Sequence, residues 1–155
     1  MDAVAQVPAG TTSNHFRSRL ALLRGMVDQL LTADAEIWRS TDGSPDTAEE
    51  AAEALASAAR RAADDRTATA ARYALFLEAM HHPELADSVR SGNAQVLDWM
   101  RNLLSGLGIG EDVDAAAAQS VALLDGVIVQ SVVRGQVIDA RRGFASLLRG
   151  WAGVK

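Results

Sequence analysis

Residues 7–23, VPAGTTSNHFRSRLALL, carry more information than any other part of this 155-residue chain. Pro8 and Gly10 signal a turn, and the short polar side chains of Thr11, Thr12, Ser13 and Asn14 follow it. A His15–Phe16 pair leads into Arg17 and Arg19, with Arg24 little more than a turn further on. No acidic residue occurs between Ala3 and Val27, so this end is locally basic within a chain of net charge −5. Short polar side chains on a helix that begins after a turn reach base edges, and arginines on the next helix grip phosphates. The acidic balance argues against nucleic-acid binding by the whole surface. It leaves room for a local patch, because salt screens charges beyond about 10 Å.

Outward from this segment the periodicity is helical throughout. Ser18 is the expected N-cap of a long helix over residues 18–40, with Leu20, Leu23, Val27, Leu30, Leu31, Ile37 and Trp38 on one stripe. Residues 41–46, TDGSPD, break it, and Thr47 with Glu50 forms a capping-box signature for an alanine-rich helix to about Asp64. A third helix is expected over residues 66–82, ended by Pro83, and a fourth over residues 84–107, stopped by Gly106, Gly108 and Gly110. No strand alternation occurs, so the fold class is all-α.

The last two helices, over residues 112–134 and 137–152, are richer in apolar residues. Val121, Leu123, Leu124, Val127, Ile128, Val129, Val132 and Val133 wrap most of the way round the first of them. Such a helix must be covered on nearly all sides. A second copy offering the same pair would close a four-helix interface, through Leu124, Ile128, Val132, Phe144, Leu148 and Trp151. The competing expectation is a monomer with one deep central helix.

The opening segment resembles the end of the helix-turn-helix of TetR-family transcriptional regulators, which reads V-x-x-G-T-x-x-x-H-F-x-S-K/R-x-x-L-L. Val7, Gly10, Thr11, His15, Phe16, Ser18, Arg19, Leu22 and Leu23 fill that pattern, while Thr12 and Ser13 depart from the usual leucine and tyrosine. Two further stretches, residues 71–85 (ARYALFLEAMHHPEL) and 122–126 (ALLDG), resemble a branch of the same family. The resemblance implies a homodimeric repressor that leaves a double-stranded DNA operator when a small apolar or aromatic effector enters a helical pocket. It places Thr11, His15 and Arg19 at phosphates and Ala9, Gly10, Ser13 and Asn14 near bases. It also divides the chain into residues 1–40, a remnant helix-turn-helix (recognition helix about 8–14) with its connecting helix, and residues 41–155, an effector-binding and dimerisation domain. Only six residues precede Val7, so the chain is expected to lack the first part of the helix-turn-helix. That leaves an alternative, a headless effector-binding dimer without DNA affinity of its own.

Trp38, Tyr73, Phe76, Met80, Trp99 and Met100 lie on inward stripes, where aromatic and methionine side chains either line an adaptable pocket or fill a core. Glu78 and His81 make half of a di-iron motif, but no second copy accompanies it, and a helix end with two half-exposed imidazoles is the better reading. The glycines of residues 106–110 follow no strand, so they read as a helix stop rather than a phosphate loop. With no cysteine there is no disulfide or thiolate chemistry. No catalytic constellation, metal site or cofactor site is expected. No apolar run approaches the roughly 20 residues of a membrane span and no signal segment opens the chain, so a cytoplasmic protein with no membrane partner is expected.

Overall fold

A computed structural model describes residue 6 and residues 18–39, 45–110 and 112–153 of the chain. Among the described residues there are six helices and no strand: α1 (Arg19–Arg39), α2 (Ala48–Asp64), α3 (Arg66–Ala79), α4 (Pro83–Ser105), α5 (Val113–Arg134) and α6 (Arg141–Trp151). The expected recognition helix over residues 8–14 lies outside the described residues.

Local chemistry sets the helix ends. The Ser18 hydroxyl accepts from Ala21 N–H at 3.1 Å, capping α1. The Thr47 hydroxyl accepts from Glu50 N–H at 3.2 Å, while the Glu50 carboxylate reaches back to Asp46 N–H at 3.0 Å, one residue before the usual capping-box partner. Asp65 ends α2 and caps α3, accepting from Ala68 N–H at 2.9 Å. Gly135, at φ 70°, closes α5 in the left-handed conformation, and Gln136 N–H returns to the Ser131 carbonyl at 3.2 Å. The chain does not re-enter a helix at Val137 as the pattern suggested. Ile138 N–H is taken by the Ser131 hydroxyl at 3.0 Å and Arg141 N–H by the Asp139 carboxylate at 3.1 Å, so α6 starts at Arg141.

Helix α2 is the axis of the main core. Its face of Ala48, Ala51, Ala52, Leu55, Ala56, Ala59 and Ala62 is buried against α6 and α5. Alanine lets helix backbones approach closely, and the volume is then supplied from across the contact by Phe144, Leu148, Leu124, Ile128, Met100 and Leu104. Helix α1 packs mainly on α4 and less on α3 and α2. Its crossing with α4 is close: a Cβ added to Gly92 would meet a Leu31 methyl carbon at 2.0 Å. Val27, Leu75 and Leu85 are buried outside the main cluster.

The length and composition of α5 alone are those of a membrane-crossing helix, at a mean hydropathy of 1.5. Its Ala116, Ala117, Ser120, Leu124, Val127, Ile128 and Ser131 are buried within the chain, on one side of the helix.

Among the described residues, the largest fully buried side chain is Phe144, at 0% exposure. Its truncation to alanine is expected to cost about 3–5 kcal/mol in urea unfolding, with transfer and cavity contributions together. A variant that instead keeps its stability and loses only a subunit contact would show that Phe144 is a surface residue.

Candidate functional site

Three helices meet at a small group of polar side chains that the apolar pattern does not explain. Asp34, on α1, and Arg72, on α3, are each 8% exposed. The Arg72 Nε–H donates to Asp34 Oδ2 at 3.0 Å, and its Nη2 donates to Oδ1, giving a two-pronged pair. Next to Arg72 in sequence, Tyr73 sends its hydroxyl to α5, donating to Asp125 Oδ1 at 2.9 Å. Phe76 stands edge-on to the Tyr73 ring, with centroids 5.7 Å apart and planes at 84°. Thus α3 is tied to α1 by a buried ion pair and to α5 by a hydrogen bond.

Burial disfavours charge here, and the shifts follow. Desolvation raises the Asp34 carboxyl above its ordinary value, against the pull of Arg72. Desolvation raises Asp125 too, opposed by the Tyr73 hydrogen bond and the Arg72 charge. Burial, and then the Asp125 charge beside it, push the Tyr73 phenol far above its ordinary range, so it stays a donor.

The expected pocket residues divide. Tyr73 and Phe76 are brought together beside Asp125, and Trp99 is half-buried against the main core. Met100 is 0% exposed inside that core, and Met80, beyond the last turn of α3, is 77% exposed, so neither faces the group. Trp38 lies in the last turn of α1, and its side chain is outside the described residues. A recess of about 150 Å³ at the α5 end is lined by Arg66, Ser131 and Gln136, and a groove of about 450 Å³ between α2 and α6 by Glu49, Glu53, Arg141 and Arg149. Neither includes any of the expected pocket residues.

The expected dimer surface needs correction. Leu124, Ile128, Phe144 and Leu148 are between 0% and 3% exposed within one chain, and a side chain with no accessible surface has none to give a partner. Val132 and Trp151 remain half-exposed. The outward side of α5 carries Ala115, Ala118, Gln119, Ala122, Gly126, Gln130 and Val133, the last 74% exposed.

Of the expected DNA contacts, Ala9, Gly10, Thr11, Ser13, Asn14 and His15 lie outside the described residues. Arg19 opens α1, and its Nη2 donates to Glu78 Oε1 at 2.6 Å. The same oxygen is 3.2 Å from His82 Nε2, so Glu78 pairs with Arg19 and His82 rather than with His81.

Asp34, Arg72 and Asp125 were missed as a group. The signal available was a charge at an inward position: Asp34 stands seven residues after the buried Val27, on the same face of α1.

Replacing Asp34 by asparagine leaves the buried guanidinium without its counter-charge, and a loss of about 3–5 kcal/mol in unfolding free energy is expected. The pH dependence has a definite sign. Both carboxyls are raised in the folded chain, so it binds more protons than the unfolded chain between 3.8 and the folded values. The stability that this group contributes therefore falls as pH rises through that window, and urea midpoints across it would show the slope.

A family model described as tetracyclin repressor-like, C-terminal domain, matches residues 46–154. No curated protein and no solved structure matches the chain. The matched span takes in α2 to α6 complete, including Arg72, Tyr73 and Asp125, while Asp34 and Arg19 come before it. The chain belongs to the tetracyclin repressor-like family, through that family's C-terminal domain.

Proposed function

We propose that this chain is a TetR-family transcriptional regulator, a repressor, whose helix α3 passes the state of an effector pocket to α1 and so to the DNA-reading residues that precede it. The observation that carries the reading is the double attachment of α3, by Arg72 to Asp34 on α1 and by Tyr73 to Asp125 on α5. A small apolar or aromatic effector seated against Tyr73 and Phe76 displaces α3, and the buried pair makes α1 follow. Residues 1–40 then serve as the DNA-reading and connecting part, and residues 41–155 as the effector-binding and dimerisation part. The activity is binding alone, with no enzymatic step and no cofactor, in a cytoplasmic homodimer on double-stranded operator DNA.

Dimerisation in this reading uses the outward side of α5, where small residues let two helices approach, together with the half-exposed Val132 and Trp151. Val133→Glu is expected to halve the mass in sedimentation equilibrium while leaving the helical content unchanged.

One observation favours the second reading, an effector-binding dimer without DNA affinity: the Arg19 guanidinium is already held by Glu78. A fluorescence-anisotropy titration against a labelled duplex from upstream of the chain's own gene, at two salt concentrations, separates the two. Salt-dependent binding that weakens in Arg19→Ala supports the repressor. Binding no tighter than about 10⁻⁴–10⁻⁶ M, and indifferent to the substitution, supports the second reading.

A further inference from the structure

Among the described residues, the group at the α1–α3–α5 junction is one positive charge short. Asp34 and Asp125 supply two carboxylates, and Arg72 a single guanidinium. The guanidinium is committed: Nε and Nη2 both donate to Asp34. Asp125 receives one donor, the Tyr73 hydroxyl, and that on Oδ1. Among the described residues, the charges acting on Asp34 are Arg72 of α3 and Asp125 of α5, and the formal charge acting on Asp125 is Arg72, with none from α2 or α4. An uncompensated charge in such surroundings is costly, and the smallest occupant that removes it is a proton.

We propose that Asp125 carries a dissociable proton whose presence sets how firmly α3 holds α1, making the junction a pH-sensitive catch. The proton goes to Asp125 rather than Asp34 because protonating Asp34 spoils a two-pronged pair. Protonating Asp125 spoils little, since a phenol both donates and accepts. The Tyr73 hydroxyl donates to the carboxylate and accepts from the carboxylic acid. With the proton on, the field of Arg72 acts on Asp34 alone, and α1 is held. With the proton off, the Asp125 charge repels Asp34 and competes for Arg72, and α1 is held less firmly. Burial raises both carboxyls, and the Asp125 charge raises that of Asp34 further. The proposal concerns the attachment of α1 and stands whether or not the chain binds DNA.

The test is amide hydrogen exchange on the full chain from about pH 4 to pH 8, corrected for the intrinsic rates, so that the span begins at the ordinary carboxylate value of 3.8. As pH rises, protection of the α1 amides is expected to fall about threefold relative to those of α6. In Asp125→Asn, a neutral isostere that still accepts from Tyr73, α1 protection is expected to stay high and level. The same fall in Asp125→Asn as in the wild-type chain overturns the proposal. So does a fall shared equally by α1, α2 and α6, which marks global destabilisation. Should Asp125→Asn fail to fold by circular dichroism, Tyr73→Phe decides. Without the hydroxyl that favours the carboxylate, the wild-type transition is expected to move to higher pH, and an unmoved transition overturns the proposal.

Discussion

A guanidinium keeps its charge at any pH a protein experiences, so burying one commits the surrounding structure to supplying an anion. Arg72 imposes that commitment on this fold. Its side chain reaches Asp34, which lies on a helix 38 residues earlier in the chain, and both are buried. Helix α1 needs the arrangement more than the others do. It lies beside the alanine-centred core rather than within it, and packs chiefly on α4. Its positional anchors are the Leu31–Gly92 crossing and the buried ion pair at Asp34. The crossing fixes how near α1 can come to α4, and the buried pair ties it laterally to α3.

The neighbouring residue extends the chain of constraint. Arg72 and Tyr73 are adjacent in sequence and so project from α3 about 100° apart, which lets one helix serve two partners at one level. One residue faces α1 and the other α5. Any shift of α3 along its axis or about it must be shared by both contacts or break one of them. That is the property a relay needs, and it arises from two consecutive side chains rather than from a dedicated hinge.

The fold was largely legible because helix ends and apolar stripes are local. Ser18, Thr47 and Gly135 each announce a boundary through chemistry confined to a few residues, and each boundary stands where that chemistry puts it. The start of α6 was misjudged because Val137 and Ile138 continue an apolar run, while the hydrogen bond that holds them out of the helix comes from Ser131 on the preceding one. The candidate site was read less well for the same reason. Tyr73 and Phe76 stood out as aromatics, but their significance depends on Asp125, 52 residues away from Tyr73. The surface meant for a partner was assigned to the largest apolar residues. Four of those residues, Leu124, Ile128, Phe144 and Leu148, fill the interior, and the outward side of α5 is left with alanine, glycine and glutamine beside Val133, which together carry little hydrophobic signal.

The alanine face of α2 decides where this protein can yield. A methyl side chain has no rotamers to change, so α2 cannot make room by turning a side chain aside, and α5 and α6 are seated directly against it. Any adjustment at this face must come from the larger side chains opposite it, Phe144, Leu148, Leu124 and Ile128, or from a shift of the helices that carry them. A methyl-lined surface thus passes a disturbance on to its neighbours instead of absorbing it.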